Sequence, residues 1–254
     1  MQVDNMSGHS KLSSNKHQKG AADAARGKVF AKMARQIEVA ARAGGGDLEA
    51  NASLRLMVSK ARGVSMPKDN IDRAIKRGTG EIEGVSYTAI NYEGYATHGV
   101  AIYVETLTDN KNRTGPEIRT IFSKAGGSLA EPGAVAWQFA RKGVIDVPID
   151  STTEDELMEV ALEAGAEDLN NLGDRFQVVT DGHDLFAVKT ALIEKGFQVT
   201  SDDLTMLPTT LVPIENPDHA QSVLKVIDAL EEHDDVQNVY ANCDISDEII
   251  EQLS

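Results

Sequence analysis

The spacing of the apolar residues changes near Gly84, and this change divides the chain into two regions. Up to residue 78 the apolar residues recur with the 3.6-residue period of amphipathic helices. This pattern predicts helices over 22–43, 51–62 and 67–78, each ended by glycine or followed by a break. Beyond Gly84 the apolar residues alternate, which is the period of half-buried strands. The sequence therefore predicts a helical region followed by mixed structure.

The second region reads as strands and helices in mixed order. The predicted strands are 85–92, 100–107, 134–140, 144–149, 176–179, 197–200 and 236–240, with an extended segment over 204–214, and the predicted helices are 114–125, 153–164, 183–195 and 217–231. Val135, Trp137 and Phe139 share one face of a predicted strand, which favours a core role for Trp137 over a ligand platform. Hairpin-like connections predict an α+β multidomain protein with mixed or antiparallel sheets, not a doubly wound parallel sheet.

Charge is divided between the two regions. Residues 1–80 carry 15 Lys and Arg against 7 Asp and Glu, whereas residues 81–254 carry 10 against 33. A clustered basic segment is the electrostatic footprint of a protein that binds phosphate backbones. A solvated helical surface is the alternative interpretation of the same charges.

The basic charges follow one side of the predicted helices and a polar arm before them. On the first helix, the cations lie opposite the apolar face that contains Phe30, Met33 and Ile37. The candidate nucleic-acid-binding residues are Lys11, Lys16 and Lys19 in the arm, and Arg26, Lys28, Lys32, Arg35, Arg42, Lys60, Arg62, Lys68, Arg73, Lys76 and Arg77 on the helices. Phe30 is the only Phe, Trp or Tyr within residues 1–80, so we expect contacts to phosphate more than base stacking.

No pattern of catalytic or metal-ligating residues stands out. The six histidines include no His-x-x-x-His pair, and Cys243 is the only cysteine. Gly44-Gly45-Gly46-Asp47 lacks the Gly-Lys-Ser/Thr ending of a phosphate loop and is better explained as a helix stop. We therefore expect no enzyme activity, no cofactor, no metal and no small-molecule substrate. The apolar runs are too short to span a bilayer, and we expect a cytoplasmic protein without a membrane partner.

Several motifs in order resemble the YebC family. They are residues 6–11 (MSGHSK), 26–30 (RGKVF), 40–47 (AARAGGGD), 66–71 (MPKDNI), 74–80 (AIKRGTG), 108–114 (TDNKNRT) and 163–168 (EAGAED). The chain departs from the family pattern at Leu12, where the family usually has tryptophan, and at Leu48, where it usually has proline.

The resemblance implies an arm and three domains, with the third domain inserted into the second. We accordingly expect a basic arm over 1–20, a basic helical domain over 21–80, a discontinuous α+β domain formed by 81–131 and 205–254, and an inserted α+β domain over 132–204.

Two functions are implied by the resemblance. Bacterial members are described as transcriptional regulatory proteins that bind promoter DNA. Others, including the mitochondrial translational activator of cytochrome c oxidase, act on the ribosome, where bacterial relatives relieve stalling at proline-rich stretches. The expected partner is therefore promoter DNA or, as the alternative, ribosomal RNA on the ribosome. Both functions require a surface that binds polyanions, and the basic helical domain serves either.

Overall fold

The computed structural model describes residues 23–253 and begins with three helices. They are α1 (Asp23–Gly44), α2 (Ala52–Gly63) and α3 (Lys68–Thr79), which confirms the three predicted helices. Their apolar faces meet in one core, whose buried members are Ile37, Ala40, Ala41, Leu54, Val58, Ala61, Met66, Ile71 and Ala74. This helical domain has its own hydrophobic core, as the period of its apolar residues predicts.

The remaining elements continue in chain order to residue 253. They are β1 (Thr88–Tyr95), β2 (Ala101–Thr108), α4 (Lys111–Lys124), β3 (Ser128–Leu129), β4 (Phe139–Pro148), α5 (Glu154–Glu163), β5 (Asp168–Asn171), β6 (Arg175–Asp181), α6 (Leu185–Glu194), β7 (Ser201–Pro208), β8 (Val212–Ile214), α7 (Pro217–Glu231), β9 (Val236–Ala241), β10 (Cys243–Ile245) and α8 (Asp247–Leu253). No helix within residues 23–253 is both long and apolar enough to cross a membrane.

Two four-stranded antiparallel sheets organise this second region. The central sheet has the strand order β3-β1-β2-β9, and the outer sheet has the order β5-β6-β4-β7. Helices α4 and α7 pack on one face of the central sheet, and α5 and α6 pack on one face of the outer sheet. A parallel pair, β8 with β10, makes the arrangement mixed. The molecule is therefore an α+β multidomain protein with an N-terminal helical domain.

The strands of the outer sheet lie between those of the central sheet in the chain. The central sheet takes β1, β2 and β3 from before the outer sheet and β9 from after it. Strand β7 extends across residues 204 and 205 and pairs with β4 along its whole length. The exact domain limits at 131 and 204 stay a prediction.

The second predicted strand pair, 134–140 with 144–149, is wrong. Residues 139–148 form the single strand β4, because Gly143 lies within the strand and not in a turn. A Cβ atom at Gly143 would stand 2.5 Å from Thr180 Oγ1 and 2.8 Å from Leu185 Cβ. Glycine at this position allows β6 and α6 to pack closely on the strand, which is a tertiary requirement that resembles a turn signal in the sequence.

The expectation that Trp137 lies in the core is also wrong. Residues 136–138 form a single 3₁₀ turn, so the alternation of a strand does not hold there. Val135 and Phe139 are buried between the two sheets, whereas Trp137 is 70% exposed. Its indole N–H donates to the carbonyl of Ala134 at 3.1 Å, which leaves the ring face open to solvent.

Candidate nucleic-acid interface

The helical domain is assembled by specific contacts between its helices. Asn51 accepts a hydrogen bond from the backbone N–H of Leu54 and donates to the carbonyls of Ala40 and Gly45. It thus caps α2 and ties it to the end of α1. At Gly78 a Cβ atom would stand 2.5 Å from the carbonyl oxygen of Glu38, so glycine lets α3 approach the backbone of α1. The cations of the three helices are held on a defined surface.

Three of the candidate cations on α1 contact an acidic turn in the second region. Lys28, Lys32 and Arg35 are spaced i, i+4 and i+7, so they project from one side of the helix. We call them the docked cations, and we call residues 231–235, which begin at the last residue of α7, the acidic turn. Lys28 forms an ion pair with Glu232, and the Lys32 Nζ donates to the carbonyl of Glu231 at 2.7 Å. The side of α1 that the sequence predicts as an open cationic face is thus covered here by a negative segment of the same chain.

Arg35 makes the most extensive of these contacts. Its Nη1 donates to Asp235 Oδ1 at 2.8 Å and to the carbonyl of Asp234 at 2.7 Å. The guanidinium carbon also lies 5.4 Å from the centre of the Tyr87 ring, within the range of a cation–π contact. Arg35 therefore docks α1 against both the acidic turn and the segment that leads into β1.

Asp235 is the centre of this contact region. It is 1% exposed, and its Oδ2 accepts from Arg113 Nη2 at 2.6 Å and from Thr114 Oγ1 at 2.7 Å. Burial raises the pKa of this carboxyl, but the hydrogen bonds from Thr114 and Arg113 and the nearby positive charges outweigh burial and hold the pKa below its ordinary value. Asp235 is therefore ionised at neutral pH and attracts Arg35.

Two further candidate cations also form ion pairs. Lys60 on α2 pairs with Asp203 on β7, which joins the helical domain to the outer sheet. Within the helical domain, the Nε of Arg77 lies 2.8 Å from the Oε1 of Glu38, whose carboxyl is almost completely buried. Burial raises the pKa of Glu38, and the positive charge of Arg77 opposes that effect. Lys60 and Arg77 thus have structural partners in this conformation.

The other candidate cations on α1, α2 and α3 are exposed, and Arg42 also donates from Nη2 to the carbonyl of Val85, in the segment that leads into β1, at 3.2 Å. Five of them, Arg42, Arg62, Lys68, Arg73 and Lys76, are exposed and form no ion pair with any residue in the described part of the chain. Arg55, which is not one of the predicted site residues, is also exposed and donates to the carbonyls of Leu48 and Glu49. We call these six residues the outer cations. Arg26 is exposed on α1, and Lys11, Lys16 and Lys19 lie outside the described residues.

The outer cations are interrupted by carboxylates on α3. Asp69 and Asp72 are exposed on the same helix as Lys68, Arg73 and Lys76. Arg73 also lines a cleft of about 330 Å³ between α1 and α3. The outer surface is therefore positive in places and not a continuous stripe.

The pairing of the acidic turn with α1 is not predictable from the sequence. Arg35 and Asp235 are 200 residues apart, and Arg113 and Asp235 are 122 residues apart. The turn has no local motif, because it is one of many acidic segments in residues 81–254. Within the described residues, no group of three or more His, Cys, Asp or Glu side chains is arranged to hold a metal ion.

Comparison with known proteins places both regions in one family. The model of the TACO1/YebC protein N-terminal domain matches residues 10–81, and the model of the TACO1/YebC second and third domain matches residues 87–243. The break between the two matches falls where the period of the apolar residues changes.

Relatives match the chain along almost its full length. A "probable transcriptional regulatory protein" of Syntrophobacter fumaroxidans is 51% identical and covers 98% of this chain and 100% of the relative. Proteins of the same name from Desulfatibacillum aliphaticivorans and Trichlorobacter lovleyi are each 52% identical, over 96% and 98% of this chain. The crystal structure of a conserved hypothetical protein from Aquifex aeolicus has a TM-score of 0.80 and 44% identity, and it covers 90% of this chain and 94% of that chain. The motifs, the fold and these matches agree, and the chain belongs to the TACO1/YebC family.

Proposed function

We propose that this regulatory protein acts by binding nucleic acid through its helical domain, with promoter DNA as the target. The observation that supports this proposal is the set of outer cations, six exposed Lys and Arg side chains that no carboxylate pairs within the described residues. Exposed cations without a carboxylate partner can neutralise phosphates and release bound counterions. The name that the relatives carry, "probable transcriptional regulatory protein", supports a DNA target.

The proposal is tested by neutralising outer cations that form no ion pair within the described residues. The variant Arg62→Gln, Arg73→Gln, Lys76→Gln should keep the fold, since these side chains are exposed and form no ion pairs among the described residues. For duplex DNA, the slope of log K against log salt concentration falls by about 0.9 for each phosphate that the protein no longer neutralises. We expect the triple variant to bind a mixed-sequence duplex more weakly, with a slope smaller by about 2.7.

The matched control makes the same change of charge elsewhere. Lys124, Lys195 and Lys225 are exposed in the second region, and the triple Lys→Gln variant at these positions should bind as the wild type does. Equal binding by the wild type and the outer-cation variant would refute the proposed interface.

The ribosome is a second candidate target, and the carboxylates on α3 favour it. A helix that enters a DNA groove would bring Asp69 and Asp72 close to phosphates along with Lys68, Arg73 and Lys76. A folded RNA surface can be recognised by shape, with positive side chains meeting phosphates only at certain points. Interrupted positive charge is compatible with that mode of binding. We assign the chain a binding role in either case.

The two targets are separated by a paired assay at near-physiological salt. Co-sedimentation with purified ribosomes is measured beside titration with the mixed-sequence duplex, each with the outer-cation variant. Saturable ribosome binding with weak, sequence-independent DNA binding supports a translation factor. Tight duplex binding that resists competitor DNA, without ribosome association, supports a transcriptional regulator.

A further inference from the structure

The contact between α1 and the acidic turn is polar. Each hydrophobic cluster in the described part of the chain belongs either to the helical domain or to the two sheets, and none contains residues of both. The residues that join α1 to the acidic turn and to β9 are the docked cations and Gln36, whose side chain lies 3.2 Å from that of Gln237. Because no shared apolar core holds the helical domain there, the contact depends on charge and is weakened by competing ions.

Asp235, the buried carboxylate of the acidic turn, would keep hydrogen-bond donors if α1 separated from the turn. Asp235 retains its hydrogen bonds from Arg113 and Thr114, which belong to the same region as the acidic turn. Lys28 and Glu232 are both well exposed and would be solvated by water. Lys32 donates to a backbone carbonyl at the end of α7, which water can replace as a partner. Arg35 would exchange its bonds to Asp235 and to the carbonyl of Asp234 for bonds to water, and Asp235 would not be left as an unpaired buried charge. The main penalty for opening a buried ion pair is therefore avoided.

The docked cations have the layout of a phosphate-binding surface. From Lys28 to Arg35 they extend over about 10 Å of helix axis, at about 1.5 Å per residue. This is the length of about three base pairs of duplex, at about 3.4 Å each. The acidic turn covers this length with the carboxylates of Glu232 and Asp235 and with the backbone carbonyls of Glu231 and Asp234.

We propose that the acidic turn is an intramolecular competitor for nucleic acid, and that the docked cations bind phosphate only after the turn has released them. This inference rests on the proposed function, because it describes how the same helical domain is regulated. In the closed protein the acidic turn pairs with the docked cations, whereas the outer cations are exposed and pair with no carboxylate among the described residues. The open protein offers the docked cations in addition, so nucleic acid shifts the molecule toward the open state by its higher affinity for that state.

The first test weakens the competitor without changing any cation. Glu232→Gln with Asp234→Asn removes two exposed carboxylates from the acidic turn and leaves the buried Asp235 intact. Removal of these charges should raise the open fraction, and thus the apparent affinity for a mixed-sequence duplex, by about two- to five-fold. The control variant Glu159→Gln with Glu163→Gln makes the same change of charge on α5 and should leave the affinity unchanged.

The second test holds the protein closed. Gln36→Cys with Gln237→Cys places two thiols across the contact, where a short reducible bismaleimide can join them, while Cys243 is buried and does not react. In the cross-linked protein the docked cations stay covered, so the slope of log K against log salt concentration should fall by about 2.7 relative to the uncross-linked protein. Cleavage of the linker should restore the slope.

The outcomes separate this inference from the proposed function. Equal affinity and equal salt dependence of the cross-linked and cleaved proteins would overturn the competition and leave binding by the outer cations standing. If the uncross-linked wild-type protein binds neither the duplex nor purified ribosomes, the proposed function itself fails and the inference fails with it. Tighter duplex binding by the acidic-turn variant, together with weaker duplex binding by the cross-linked protein, supports the competition.

Discussion

Replacement of Glu93 by glutamine should destabilise the turn that carries Trp137. Glu93 is 7% exposed, and its carboxylate accepts three backbone hydrogen bonds: from Gly133 at 2.7 Å, from Val135 at 2.7 Å and from Ala136 at 2.8 Å. Glutamine fills the same space but has only one acceptor oxygen, and its amide group would face a backbone N–H. At least one buried donor would be left without a partner.

The expected loss follows from the number and kind of these hydrogen bonds. A hydrogen bond to a charged acceptor contributes about 1.5–3 kcal/mol, against about 0.5–1.5 kcal/mol for a neutral one. Replacement of the carboxylate of Glu93 by an amide should therefore cost about 2–4 kcal/mol. If the free energy of unfolding falls by about 2 kcal/mol per molar of urea, the urea concentration at the unfolding midpoint should fall by about 1–2 M.

The effect of Glu93 should also depend on pH. Burial raises the pKa of its carboxyl, but the hydrogen bonds from Gly133, Val135 and Ala136 outweigh burial, and the pKa lies below its ordinary value of 4.5. A carboxylate with a lowered pKa stabilises the fold fully above its ordinary pKa and loses that contribution as the pH falls through the lowered value. Because glutamine does not titrate, the difference between wild type and variant should shrink below a pH of about 4.5.

Urea unfolding followed by the fluorescence of Trp137 provides the assay, because this is the only tryptophan in the chain and it lies on the turn itself. Glu131→Gln is the matched control, since Glu131 is exposed near the same turn and its side chain makes no hydrogen bond within the described residues. A midpoint for Glu93→Gln equal to that of this control at neutral pH would refute the reasoning.

Two further predictions concern single side chains. Asn51→Ala removes the cap of α2 and two hydrogen bonds to backbone carbonyls. Thermal unfolding monitored by circular dichroism should therefore show a free energy of unfolding lower by about 2–4 kcal/mol. Asn70→Ala on α3, whose side chain makes no hydrogen bond among the described residues, should cost much less, and equal losses would contradict the role of the cap. Trp137 is 70% exposed, so acrylamide should quench its fluorescence nearly as efficiently as that of a free indole. Strong protection from quenching would contradict this exposure.

Elements that are determined by the spacing of neighbouring apolar residues and by the residues that end a helix were predictable from the sequence. The three helices of the helical domain have apolar positions at helical spacing and end near Gly44, Gly63 and Gly78, and the structure confirms them. The first strand pair is confirmed as β1 with β2, because Val100, Ile102 and Val104 alternate as a strand in the core requires.

Features set by distant parts of the chain were not predictable. Gly143 has a turn-like neighbourhood, but its conformation is determined by the close approach of β6 and α6. Trp137 belongs to an alternating apolar run, but the backbone hydrogen bonds to Glu93 hold its segment in a turn. The basic character of α1 was visible, whereas its coverage by the acidic turn was not, because that contact joins residues 200 positions apart.

The strand order of the central sheet has a consequence for synthesis of the chain. Strand β2 has no neighbour on one side until β9 is made, and β9 follows every strand of the outer sheet. The core around Ile102 and Val104 also needs α7, which comes equally late. We expect the helical domain and the outer sheet to fold first as the polypeptide emerges, and the central sheet to close last. A nascent chain arrested before α7 should therefore expose an unpaired β2 edge, which is the feature of a folding intermediate that most invites chaperone binding or aggregation.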